Sequence, residues 1–172
     1  MVIGLRDAFT RMIRMALKVK ITQRRPADLT KEALSIRFAG DAESYAMAAM
    51  TLTDFKFYSV RYHLFCQAFE LILKSFILSA GADQRTTFKI GHNLKKALSA
   101  AVSLGYRPSH PDLDMLVDWL HPFHEGNDFR YARGGYQLLP TAEDLFAAFK
   151  VTHGEVSPLA AAYYLSKHPP AS

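Results

Sequence analysis

Glu70 and Lys74 stand one helical turn apart inside residues 59–81, SVRYHLFCQAFELILKSFILSAG, a run that is apolar on nearly every side. An acid four residues before a base attracts it on a helix, but an exposed pair of this kind contributes only about 0.3–0.5 kcal/mol. Within so apolar a helix at least one of the two must be shielded from water, and each then requires a partner. One reading makes the pair a polar bridge between helices, with His92 or Arg130 as the further partner. The other makes it part of a ligand site. The bridge is the favoured reading.

Two more sets carry chemistry. Asp118, His121, His124, Glu125 and Asp128 crowd the stretch around HPFHEGND, and all are metal-ligand types. Pro122 disturbs the i, i+4 geometry that zinc proteases use, and no cysteine or distant histidine pattern completes a site. A polar loop, sensitive to pH near 6.5 through its histidines, is the expectation. Arg130, Tyr131, Arg133 and Tyr136, with Gly134 and Gly135, combine guanidinium, aromatic ring and flexible backbone. That mixture suits phosphate binding and base stacking, although the lysine and hydroxyl of a phosphate loop are missing. Loop packing of the two tyrosines explains the same residues. Cys66, the single cysteine, has no internal partner for a disulfide and reads as a small buried hydrophobe in a reducing compartment. Nothing in these spacings calls for a cofactor.

These side chains need a scaffold. A helix apolar all round must lie at the centre of a bundle or between subunits. The chain has 172 residues, about half of them apolar, with 12 Phe and 8 Tyr, enough for one sizeable core. The most apolar region is divided by Glu70 and Lys74 well short of a membrane span. Residues 1–40 hold nine Lys and Arg against Asp7, Asp28 and Glu32, a net of +6, so the remaining residues sum to −1 of the overall +5. The charges at Arg11, Arg14, Lys18 and Lys20 interrupt every candidate secretory core. A soluble, cytoplasmic protein without membrane contact is expected.

Leu5, Ala8, Phe9, Met12, Ile13, Ala16 and Leu17 form an amphipathic helical stripe, so residues 1–40 read as a basic N-terminal helical arm. A short helix is expected over residues 28–38, and a turn at residues 38–40. Asp41 then caps the first helix of the main unit, residues 41–168, and the span 41–80 fits one helix or two. Gly81 ends the apolar helix. Residues 83–90 read as a polar loop, and residues 94–105 as a helix. Ser109 with Pro111 and Asp112 signals the next start. Residues 121–139 read as mostly loop, with a weak strand candidate at 136–139. Thr141 caps a further helix that Gly154 and Pro158 interrupt. The fold class is all-α: an up-and-down antiparallel bundle of four to five core helices, with the extra amphipathic helix at the N-terminus.

Ala68, Glu70 and Lys74, then Gly91, His92 and Leu94, then Arg130 and Tyr131, form a pattern that resembles the HEPN domain over residues 41–165. The resemblance implies a four- to five-helix bundle, usually a homodimer, often fused to or encoded beside nucleotidyltransferase domains. Some members are ribonucleases of toxin–antitoxin and antiviral systems, and others bind nucleotides or partner proteins. In the ribonucleases an Arg, four to six residues and a His meet their copies across a dimer, the Arg holding phosphate and the His moving a proton. Arg85 and His92 match that spacing, but they precede the late segment where the family places it.

The expected function is therefore a non-enzymatic accessory protein binding nucleotide, RNA or a protein partner of the nucleotidyltransferase type. Its ligand-binding candidates are Glu70, Lys74, His92, Arg130, Tyr131 and Arg133. A metal-independent ribonuclease using Arg85 and His92, and a purely structural oligomerisation partner, are the alternatives.

Overall fold

The structure, a computed structural model, describes residues 29–131 and 139–169, apart from the side chains of Arg130 and Tyr131. The stripe of residues 1–20, Arg133, Tyr136 and most of the strand candidate lie outside the described residues. Among these there are seven α-helices and no strand: α1 (Lys31–Thr51), α2 (Tyr58–Ser79), α3 (Gln84–Ile90), α4 (Leu94–Ser103), α5 (Leu113–Glu125), α6 (Asp128–Tyr131) and α7 (Ala142–Lys167). A 3-10 turn at Phe55–Phe57 leads into α2. The all-α class is as expected.

Helix α2 is the hub. From Phe65 to Leu78 only Gln67 and Leu71 escape full burial, because α1, α4, α5, α6 and α7 all pack against it. Alanines make the closest of these approaches possible. Ala39, Ala42, Ala46 and Ala49 line the buried face of α1, and their lack of bulk lets the two backbones come together.

Contacts along the helices give their directions. Ser35 near the start of α1 meets Ser75 near the end of α2, while Ala49 at the end of α1 accepts from Arg61 near the start of α2. The two helices are antiparallel. Coming back along α2, His124 of α5 meets Glu70, and beyond it Phe129 of α6 stacks on Tyr62. Helix α7 runs the same way as α2: Tyr62 Oη donates to the Pro140 carbonyl, and Phe69 meets Phe149 edge-on at 6.0 Å. Helices α1, α2, α5 and α7 therefore alternate in direction, and α3 and α4 fill the connection between α2 and α5.

The structure corrects several local expectations. No turn forms at residues 38–40: α1 is continuous through Gly40, capped by Thr30, so residues 31–40 belong to the bundle and not to the arm. The span from 41 to 80 holds two helices, separated where Asp54 caps the 3-10 turn. Residues 84–90 are helical, since the Asp83 carboxylate accepts from the Arg85 N–H and supplies the start signal. Pro122 does not end α5, and Gly154 and Pro158 do not interrupt α7. Tertiary packing overrides these local penalties, because each helix has a buried face continuous across its weak position. Ser109 does not cap α5. Its backbone N–H and hydroxyl both bond to Glu155 of α7 instead, and α5 starts four residues later.

Gly81 terminates α2 as expected, at φ +92°, a left-handed conformation that glycine adopts without strain. Cys66 is buried. Burial, and then the nearby Glu70 carboxylate, push its thiol up, away from the reactive thiolate form. No helix among the described residues is long and apolar enough to cross a membrane.

Candidate functional site: a buried carboxylate with three partners

Glu70 projects from the hub with 3 % of its surface exposed. A buried carboxylate that cannot bond water must find its donors in the protein. Three elements supply them. Lys74, one turn along α2, places Nζ 2.6 Å from Oε1. His92, at the junction of α3 and α4, and His124, in α5, both approach Oε2, through Nδ1 at 2.9 Å and Nε2 at 2.6 Å. An ionised carboxylate only accepts, so both ring nitrogens donate here, which defines the tautomer of each neutral ring. The rings of His92 and His124 meet edge-on at 5.5 Å, and that of His63 lies 6.2 Å from His124.

The junction is shaped for this. Gly91 ends α3 at φ +59° and ψ −135°, a region closed to residues with a Cβ. The resulting turn aims its carbonyl at Lys74 Nζ, 2.8 Å away, and brings His92 over Glu70. Asn93 then caps α4 with its side-chain oxygen and donates from Nδ2 to Glu125 Oε1 at 2.7 Å, tying α4 to the end of α5.

Burial alone would raise the Glu70 carboxyl. The His124 hydrogen bond, the Lys74 ammonium and the His92 bond outweigh it and bring the group from 4.5 down to about 2. Glu70 is thus an anion at all ordinary pH, held in a fixed orientation. Lys74 and His124 are buried with it, but the His92 side chain is 59 % exposed. Since Nδ1 of His92 faces inward, it is the Nε2 side of the ring that the surface presents. The site can orient an imidazole, hold a helix junction and offer one edge to a ligand.

The bridge expected of Glu70, Lys74 and His92 is present. His124, read from the sequence as part of a polar loop, is its unforeseen member, and Pro122 was the reason: a helix continuing through proline turns His124 inward. The crowded acid and histidine stretch is divided accordingly. His121 Nε2 lies 3.2 Å from Glu125, and its buried Nδ1 has no hydrogen-bond partner among the described residues. Asp118 pairs with Lys95 at 2.8 Å, and Asp128 opens α6. His63 was available from the sequence as a residue two helical turns before Glu70 on the same face.

Arg85 is exposed at the start of α3, and His92 follows its end, so about 7.5 Å of helix rise and the Gly91 turn lie between them. Arg130 and Tyr131 belong to α6, which packs on α2. A further feature comes from α3 and α4 together. Residues 84–111 contain Arg85, Lys89, Lys95, Lys96 and Arg107 and no acid, and all five side chains are exposed.

Comparison with known proteins finds nothing similar: no family model, no curated protein and no solved structure matches this chain.

Proposed function

We propose that this chain is a non-enzymatic, HEPN-like binding module, cytoplasmic and homodimeric, that takes a phosphate-bearing ligand on its α3–α4 edge. Nucleotide and RNA share the chemistry that this edge would recognise. The carrying observation is the acid-free run of residues 84–111, in which the exposed Arg85, Lys89, Lys95 and Lys96 belong to the two helices that meet at His92. Such a concentration of one charge attracts polyanions and gives their binding a strong salt dependence. The pairing of Lys95 with Asp118 is exposed on both sides and opposes this little. Arg130, Tyr131 and Arg133 are the residues that would add stacking and a guanidinium fork. The resemblance of Ala68, Glu70, Lys74, Gly91, His92 and Leu94 to the HEPN pattern supports the same reading. In it, Glu70 and Lys74 hold the helices that carry the binding edge.

Titration of the full chain with a single-stranded RNA and with ATP, by calorimetry and thermal shift, tests the proposal. Binding that weakens steeply with added salt, and weakens further when Lys89, Lys95 and Lys96 are replaced by Ala, is the expected result. Absence of heat and of any thermal shift with both ligands refutes it.

One observation favours a second reading. A carboxylate that accepts from Nδ1 of a histidine and leaves Nε2 facing outward is an arrangement suited to moving a proton. In the ribonucleases that the HEPN pattern resembles, the arginine and histidine meet their copies across a dimer, so Arg85 and His92 of two chains would share such a site. RNA cleavage in the presence of a chelator, lost in His92→Ala with the fold retained, would replace binding by catalysis as the conclusion.

A further inference from the structure

We propose that Glu70, His92 and His124 form a binding site for a divalent cation of the zinc type, with water in its remaining position.

The three donors come from separate elements: Glu70 from α2, His92 from the α3–α4 junction and His124 from α5. One ligand atom of each lies within 4.8 Å of the other two. Residues so far apart in the chain converge in this way only because the bundle brings them together, and none of them is a surface carboxylate gathered by chance. Two imidazole nitrogens and a carboxylate oxygen are the donors of an open, three-ligand zinc site. The same donors would also accept cobalt(II) and nickel(II).

The present contacts are hydrogen bonds, and at the two contacts to Glu70 the change needed to admit an ion is small. Nitrogen and oxygen ligands about 2.0–2.2 Å from a tetrahedral ion lie about 3.3 Å from each other. The two ring nitrogens lie 2.9 and 2.6 Å from Glu70 Oε2. Each contact therefore has to open by only about half an ångström to reach that spacing. His92 has the freedom to do so, because its side chain is 59 % exposed. Each neutral ring then carries its proton on the other nitrogen, and the freed lone pair faces the ion.

The surroundings also fit. A ligating carboxylate is ordinarily held by a hydrogen bond on its second oxygen. Lys74 fills that place, bonded at once to Glu70 Oε1 and to the Gly91 carbonyl, and leaves Oε2 as the ligand. Its ammonium keeps a positive charge near the ion and so limits affinity. Glu70 and His124 close the site from the core, and the open position falls on the side of His92, where water has access.

The test uses the untagged full chain, freed of metal by a chelator and then dialysed. Zinc chloride is titrated in by calorimetry, and cobalt chloride is followed by the visible absorption of the bound ion. One ion per chain is expected, with the cobalt spectrum of a low-symmetry nitrogen and oxygen site. His92→Ala, a change at an exposed side chain, should keep the far-ultraviolet circular dichroism and weaken binding at least about tenfold. Glu70→Gln should do the same, and His121→Ala should leave binding unchanged. No uptake by the wild-type chain overturns the proposal. So does equal uptake by wild type and a folded His92→Ala, which would place the ion on other groups.

Discussion

Replacing Glu70 by Gln removes one negative charge from the hub and little else. Lys74 then keeps its ammonium in a buried position, with the Gly91 carbonyl as its remaining partner. The amide offers one acceptor oxygen where the carboxylate offered two. It must also turn an NH2 group toward Lys74 or toward the two histidine N–H groups. Breaking a buried pair from one side costs about 3–5 kcal/mol. An independent route gives a similar figure. The Glu70 carboxyl lies at about 2 in the fold against an ordinary 4.5, which corresponds to about 3 kcal/mol of stabilisation of the anion.

Urea unfolding of metal-free protein measures this. With a slope of about 2 kcal/mol per molar, Glu70→Gln should lower the midpoint by about 1.5–2.5 M. The pH dependence sharpens the test. A depressed carboxyl contributes its stability fully above its unfolded value and loses it as pH falls toward its folded value. Between pH 5 and pH 2 the wild type should therefore lose about 3 kcal/mol more than the variant, and the two curves should converge in acid. Adding Lys74→Met to Glu70→Gln should restore part of the loss, because it removes the stranded ammonium. A loss below about 1 kcal/mol at pH 7, or wild-type and variant profiles that stay parallel from pH 5 to pH 2, would refute a charged Glu70 hub.

Three further outcomes follow from the geometry. Gly40 and Gly154 lie inside α1 and α7 with nothing within 4 Å of an added Cβ, so Gly40→Ala and Gly154→Ala should each raise stability by about 0.5–1 kcal/mol in thermal melts; destabilisation by Gly40→Ala would restore the turn that the sequence suggested. Gly91→Ala meets no neighbour but forces a Cβ into φ +59°, ψ −135°, and should cost about 1–3 kcal/mol in urea unfolding. Ser35 and Ser75 each donate to the other's carbonyl, at 2.9 and 2.8 Å, deep between α1 and α2. Either serine changed to Ala should cost about 1 kcal/mol, and the double variant less than the sum, so strict additivity would count against the reciprocal pair.

Part of this protein was legible from residue order alone. The apolar run around Glu70 has no face to offer water, which required a hub and an all-helical fold, and Gly81 and Thr141 marked their helix ends through local chemistry. The pairing of Glu70 with Lys74 followed from their spacing of four, which brings side chains together on any helix. What local signals could not decide was where a weak position gives way. Gly40, Pro122, Gly154 and Pro158 are breakers by intrinsic preference, yet each lies within a helix here, because the packing of a continuous buried face outweighs a penalty of about 1–3 kcal/mol.

The composition of the site depended on that outcome. His124 faces Glu70 only because α5 continues past Pro122, and His92 faces it only because the Gly91 turn points back across the end of α3. Glu70 and His124 are 54 residues apart in the chain. No short-range pattern encodes a contact over that distance, whereas the antiparallel return of α5 along the hub places the two side chains in bonding range.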